Sequence, residues 1–284
     1  MTTNKITGPP MGFYPPDKSS LQNIMQSFEK KFEKMSLERP NGKIRGLVVP
    51  HAGLIYSGFT AYCAYKLFSQ QPLPEQPVIV LLAPSHQSFF EGMVTSQQST
   101  FQTPLGDLPT ADRYLEPLLQ KPWVDSSPGM HRDEHSLQVQ IPFLQYLFND
   151  GISIQLLPFL LSGNYSSEQW TKIFDDFLSL LPKEKDVYFI ASSDLYHGES
   201  YDTACAKDQK TIQGILKDPA SEFWHRCLDR TYMACGCLPI FALKYMAEKG
   251  GFLNTQVVHR TNSNDVIGEI GGYVVGYTSI LFCE

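Results

Sequence analysis

The chain has 284 residues, 42% of them hydrophobic and 12% aromatic, enough apolar side chain for a substantial core and too much for a disordered protein. Its net charge is −6 and no block of Lys and Arg stands out, so nucleic-acid binding and attachment to an anionic membrane have no electrostatic support. No apolar run approaches the roughly 18 residues of a membrane-inserted helix, no secretory leader pattern opens the sequence, and six dispersed cysteines fit reduced thiols, which together predict a cytoplasmic protein.

In chain order, residues 1–17 are rich in Pro and Gly and read as an irregular segment, with Phe13-Tyr14-Pro15 able to pin it down. Leu21, Ile24, Met25, Phe28 and Phe32 recur at helical spacing and predict a helix over 20–35. Ile44 to Val49 reads as a buried strand, Ser57 to Phe68 as a helix with Ser57 at its cap, and Val78 to Leu82 as a second buried strand. Short strands and turns follow over 92–110, then a helical stretch from Leu115 to Leu119. A longer helix is expected from Glu134 to Phe148, kinked or started by Pro142. Ile152 to Leu157 predicts a strand, Ser166 to Leu181 a helix capped by Ser166 or Ser167, and Val187 to Ala191 a strand. Helical patterns cover about 201–216, 219–228 and 238–248, the last stopped by Gly250-Gly251. Phe252 to His259 and Tyr273 to Phe282 read as strands, with a polar loop from Asn262 to Asp265 between them. Strands alternating with helices predict an α/β layer fold, and the lack of a repeat or linker predicts a single domain over 1–284.

Three of these strands end on candidate site residues. Val49 runs into Pro50-His51, Leu82 into Ala83-Pro84-Ser85-His86, and Ala191 into Ser192-Ser193-Asp194-Leu195-Tyr196-His197. In open α/β sheets, sites form beyond the carboxyl ends of strands. His51 and His86 at one sheet edge are placed to share a cation, since neighbouring strands lie about 5 Å apart. Asp194 and His197, three residues apart, fit either a carboxylate–imidazole pair for proton transfer or a plain helix cap beside an exposed His. Ser193 belongs to the same cluster, but no G-x-S-x-G elbow supports a serine hydrolase. Glu134 and His135 open the long helix and are candidates to line the pocket, with ordinary helix-start chemistry as the competing reading.

Cys235 precedes Gly236 at a helix start, where a thiolate is favoured. Two His and one Cys form a borderline-soft donor set that suits iron or copper, Cu(I) especially, and also accepts zinc. Cys237 is left open between packing and the site, whereas Cys63, Cys205, Cys227 and Cys283 read as packing residues. His131, His225 and His259 lack a strand-end context and read as surface or core.

The segments Phe13-Tyr14-Pro15, VVPHAGLIYSG (48–58), APSHQ (83–87), DEHSLQVQIPF (133–143), SSDLYHG (192–198), CGCLPI (235–240) and GGYVVGY (271–277) occur in the order seen in Memo-like proteins. The chain resembles this family over nearly its whole length. The family includes the eukaryotic mediator of ErbB2-driven cell motility and the microbial AmmeMemoRadiSam system protein B. The resemblance implies a three-layer αβα fold with a central mixed, largely parallel sheet, related to that of the class III extradiol ring-cleaving dioxygenases. It also implies His51, His86 and Cys235 as metal ligands, with Cys235 standing where the dioxygenases carry Glu. His197 matches their acid/base His and Asp194 lies beside it. Two positions depart from the family pattern: Gln87 replaces a second His of the mammalian form, and Cys237 replaces a common Arg.

Three functions follow as expectations. The first is a redox protein using iron or copper on an unidentified small-molecule substrate. The second is a signalling adaptor that binds phosphotyrosine peptides in cell motility, as the eukaryotic relatives are described. The third is a hydrolase working through zinc-bound water.

Overall fold

A computed structural model describes residues 4–8, 12–148, 151–183, 186–269 and 271–284. Part of the segment expected to be irregular is ordered: β1 (Asn4–Thr7) is a strand. Helix α1 (Lys18–Phe32) starts at Asp17, whose carboxylate accepts the Ser20 N–H at 2.9 Å. Strand β2 (Ile44–Val49) has the predicted bounds. It leads through a π-helical turn, Leu54–Gly58, into α2 (Phe59–Ser69). Ser57 therefore does not cap α2; its hydroxyl donates to the Ala52 carbonyl at 2.9 Å and braces the turn.

Strands β3 (Val78–Pro84), β4 (Gly92–Thr95), β5 (Ser99–Thr103) and β6 (Gly106–Pro109) follow, then α3 (Asp112–Leu115) and β7 (Val124–Ser126). After α4 (Pro128–Asp133), the expected long helix over 134–148 is instead broken into two short pieces, α5 (His135–Gln138) and α6 (Ile141–Leu147). Glu134 is extended and caps α5, and Pro142 sits in the first turn of α6, where its missing N–H costs nothing. Strand β8 (Gln155–Ser162) begins three residues later than predicted. Helix α7 (Ser167–Leu180) carries a full capping box between Ser166 and Gln169, and β9 (Val187–Ser192) follows.

The rest is a two-residue strand β10 (His197–Gly198), helices α8 (Tyr201–Lys217), α9 (Ala220–Leu228) and α10 (Cys237–Gly250), and strand β11 (Asn254–Asn262). Gly251, at φ 73°, ends α10 in the left-handed conformation. The expected polar loop is a short helix, α11 (Ser263–Ile267), capped by Asn262, before β12 (Val274–Cys283).

The main sheet has nine strands in the order β10-β12-β2-β9-β3-β8-β4-β7, with β11 also on β12. The four central strands β2, β9, β3 and β8 are mutually parallel, while β12 joins β2 and β11 antiparallel and β4 joins β8 antiparallel and β7 parallel. A separate small sheet is built from β1, β5 and β6. Alternate residues of the central strands feed two cores. Leu47, Val49, Ile79, Leu81 and Ile190 pack with α1, α2 and α6 on one face. Val48, Val80, Leu82, Phe189 and Ala191 pack with α7, α9 and α10 on the other. This is the three-layer α/β arrangement expected, and burial on both faces explains why the strands read as unbroken apolar runs. The crossover β2–α2–β3 moves one way across the sheet with its helix on the first face. The return β8–α7–β9 moves back with its helix on the second, as right-handed crossovers require. Because of that return, β9 lies between β2 and β3.

Candidate metal centre

His51 and His86 are therefore not on neighbouring strands. Two strand spacings, roughly 10 Å, separate β2 from β3. The segments beyond Pro50 and Pro84 curl over the end of β9 and bring the two rings to 5.2 Å between centroids. Cys235 arrives from the opposite side, in the loop before α10. Donor atoms of His51, His86 and Cys235 all lie within 4.8 Å of one another, and His51 Nε2 is 3.2 Å from Cys235 Sγ.

The protonation of both imidazoles follows from their outer partners. The Ser192 hydroxyl donates its one proton to the Ser136 carbonyl at 2.6 Å, so it can only accept from His51 Nδ1 at 2.8 Å. His51 thus carries its proton on Nδ1 and turns the Nε2 lone pair toward Cys235. His86 Nδ1 lies 2.9 Å from Glu134 Oε1. Burial pushes the Glu134 carboxyl up, but hydrogen bonds from the His86 ring, Ser136 N–H and His86 N–H win and hold it down at about 2. An ionised carboxylate only accepts, so His86 donates to it from Nδ1, and Nε2 is the ring nitrogen left for a ligand. A carboxylate or hydroxyl behind each imidazole is the outer arrangement that metal-binding histidines use. Burial, reinforced by the nearby imidazoles, keeps His51 well below its ordinary pKa and neutral, the form a cation needs.

The frame behind these ligands is polar and buried. Gln140 Nε2 donates to the Pro50 carbonyl at 3.0 Å and to Ser192 Oγ at 2.9 Å, while Tyr65 donates to its Oε1 at 3.0 Å. Ser136 Oγ donates to the Pro84 carbonyl at 2.8 Å. The α5–α6 region thus holds the exits of β2, β9 and β3 together. Sequence reasoning singles out neither Ser136 nor Gln140; a Gln inside an apolar stripe is the available signal.

Asp194 has a different role from the one expected. Its carboxylate accepts the backbone N–H of His51 at 2.8 Å, and its own N–H donates to Cys235 Sγ at 3.2 Å. Cys235 N–H returns to the Asp194 carbonyl at 3.2 Å. Asp194 therefore ties two candidate ligands together. Burial raises its pKa to about 7, partly offset by the His51 and Ala52 N–H groups. It does not orient His197, whose Nδ1 pairs with the Leu195 carbonyl at 2.9 Å, nor does it cap a helix. Ser193 is fully buried behind the site, where its Oγ accepts Gly236 N–H at 2.9 Å and donates to the Asp194 carbonyl.

His135 lines the other side. It stacks on His86 at 4.8 Å and on Phe13 at 4.3 Å, and burial lowers its pKa to about 4. Phe13 pins the early segment as expected, its carbonyl accepting Leu54 N–H at 2.8 Å. His197, Cys235 and Cys237 share a cleft of ≈ 410 Å³. Burial moves the Cys235 thiol well above its ordinary pKa, so the helix start does not by itself make a thiolate; a cation replacing the proton would. His131 is a core residue, its Nε2 3.0 Å from the Val94 carbonyl. His259 is partly buried, 2.9 Å from the Thr60 hydroxyl.

The donor set fits a soft or borderline transition metal: two imidazoles and one thiol, with a cleft beside Cys235.

A parallel-centred three-layer α/β fold with such a centre at its strand ends is the setting in which the comparisons with known proteins fall. The family model described as Memo-like protein matches residues 11–281, and the chain belongs to that family. MEMO1 family protein Ta0237 of Thermoplasma acidophilum is 34% identical over 275 residues, covering 95% of each chain. A MEMO1 family protein of Methanococcoides burtonii is 34% identical over 270 residues, covering 95% of this chain and 96% of its own. Among solved structures, uncharacterized protein JW3007 of Escherichia coli K12 covers 82% of this chain and 99% of its own at 14% identity, with a TM-score of 0.45. No helix among the described residues is long and apolar enough to cross a membrane.

Proposed function

We propose that this Memo-like protein is a metal-dependent redox protein in which His51, His86 and Cys235 hold one iron or copper ion. The observation that carries the reading is the convergence of His51, His86 and Cys235 donor atoms within 4.8 Å, with His51 held from behind by Ser192 and His86 by Glu134. Thiol donation favours redox metals over the all-oxygen preferences of Mg(II) or Ca(II). Such an ion would supply electron transfer or oxygen activation. The chain's own residues bind, orient and handle protons. Asp194 keeps His51 and Cys235 in register, Glu134 and Ser192 hold the imidazoles, and Gln140 ties the strand exits together. His197 stands at the mouth of the Cys235 cleft with Nδ1 engaged, leaving Nε2 to exchange a proton with a small-molecule substrate there.

The test is anaerobic loading with Fe(II), followed by desalting and metal analysis. Wild type is expected to keep about one iron per chain and the His51→Ala, His86→Ala double variant almost none. Equal retention by both would overturn the assignment.

A further inference from the structure

Asp208 sits midway along α8 and makes no ion pair among the described residues; its carboxylate is turned onto backbone instead. Oδ1 accepts the Tyr196 N–H at 2.9 Å. Gly276 of β12 is what admits it, since a Cβ there would overlap both carboxylate oxygens. The same glycine holds Tyr196 from the other direction. Its N–H donates to the Tyr196 carbonyl at 2.9 Å, and its carbonyl accepts the Leu195 N–H at 2.8 Å. His197 comes next, paired with Val275 across β10 and β12, with Nδ1 2.9 Å from the Leu195 carbonyl. A carbonyl only accepts, so the neutral His197 ring carries its proton on Nδ1. Asp208, Tyr196 and Gly276 thus close one clamp immediately before the imidazole that shares a cleft with Cys235.

We propose that Asp208 is a positioning residue for His197: it holds the Leu195–Tyr196 backbone through the Tyr196 N–H and so fixes where the imidazole stands at the mouth of the Cys235 cleft. The proposal rests on the reading of His197 as the proton-exchanging group, but not on a metal being bound. An ionised acceptor makes a hydrogen bond about twice as strong as a neutral one, so the clamp is tightest when Asp208 is charged. Burial raises the Asp208 carboxyl to about 7, against the pull of the Tyr196 N–H and of Arg260. Of the groups that share its ≈ 660 Å³ cleft, Tyr201, Asp202 and Cys205 lie on α8, Arg260 on β11, Asp265 in α11 and Tyr277 on β12. Arg260 donates to Gln209 rather than to Asp208. Asp265 is taken up by the Tyr201 hydroxyl at 2.7 Å and the Asn262 amide at 2.8 Å. The Tyr196 N–H therefore stays the partner of the carboxylate, and the clamp tightens as pH rises through about 7 and slackens below it.

The experiment is nitrogen NMR of the metal-free full chain from about pH 5 to 9, a range that brackets the carboxyl and both imidazole states. Wild type is compared with Asp208→Asn and Asp202→Asn, with folded fraction checked by circular dichroism. In wild type the Tyr196 amide is expected to shift with a midpoint near pH 7, and above that pH His197 is expected to show a single Nδ1–H tautomer. Asp208→Asn keeps the size and loses the charge. There the step is expected to vanish, Tyr196 amide exchange to rise by about tenfold, and His197 to become a mixture of tautomers. Asp202→Asn, which changes an exposed carboxylate of the same helix and cleft, is expected to match wild type. A general loss of stability does not move the His197 tautomer of the folded chain, and the wild-type step is read without any variant. Because the protein is metal-free, a wild type that retains no iron would overturn the metal centre and leave the clamp standing. A Tyr196 amide with no step near pH 7, or a His197 tautomer unchanged in Asp208→Asn, would overturn the clamp.

Discussion

Glu134 holds His86 at two points, taking the ring Nδ1–H at 2.9 Å with Oε1 and the backbone N–H with Oε2. The same carboxylate caps α5 by accepting Ser136 N–H at 3.0 Å, so one side chain sets both a helix start and an imidazole's direction. Glu134→Gln keeps the size but loses the charge and one acceptor oxygen. Fe(II) affinity, measured by chelator competition, is expected to fall by about 10–100-fold, the usual cost of losing an outer-shell carboxylate. Unchanged affinity would mean that His86 is held by other means.

Ser192 does the corresponding work for His51 and makes three hydrogen bonds while fully buried. Ser192→Ala leaves the Ser136 carbonyl and the Gln140 amide short of a partner. Urea unfolding of the metal-free protein is expected to show a loss of about 1–3 kcal/mol. Nitrogen NMR should show His51 moving from a single Nδ1–H tautomer to a mixture.

Gly236 sits between the two cleft cysteines, and a Cβ there would lie 2.5 Å from the Ser192 carbonyl oxygen and from Ser193 Cβ. Both neighbours are fixed, one by its strand and the other by its own hydrogen bonds. Gly236→Ala is expected to destabilise by about 1–3 kcal/mol through overpacking. It should also push Cys235 away from His51 and weaken iron binding. Iron retention equal to wild type would show that the loop adapts without moving the thiol.

Lys244 gives a pH dependence remote from the metal centre. The residue is 6% exposed and its ammonium donates to the Ile215 carbonyl near the end of α8. Burial lowers its pKa from 10.5 to about 8, with Glu248 and Asp218 pulling weakly the other way. A lysine lowered in the folded state costs stability while both states are protonated, below about pH 8. The cost is relieved as pH rises from 8 toward 10.5, because only the unfolded chain still binds the proton. Lys244→Met is expected to be more stable than wild type by about 1–2 kcal/mol at pH 7, the gain typical of replacing a buried charge by packed methylenes. Denaturation midpoints across pH 7 to 10 should show wild type closing the gap.

The parts of this site legible in the sequence are those written locally. Pro50 and Pro84 end apolar strands, so His51 and His86 stand out as strand-end residues. The helices over 167–180 and 201–217 carry their own caps and apolar stripes. What stays hidden is long-range. Nothing between residues 78 and 192 says that β9 inserts between β2 and β3, yet that insertion brings Ser192 and Asp194 under the two histidines. The stripe over 134–148 has helical period, but Glu134 is drawn into extended backbone by His86, 48 residues away, and the helix breaks there. The proximity of Asp194 and His197 in sequence suggests a pair; the chain instead turns Asp194 toward His51 and Cys235.

The most direct test of the central claim is X-ray absorption on protein loaded anaerobically with Fe(II). The account predicts one sulfur at about 2.3 Å together with imidazole nitrogens in the iron's first shell, and loss of the sulfur in Cys235→Ser. An iron spectrum with no sulfur scatterer in wild type, or one unchanged by Cys235→Ser, would contradict it.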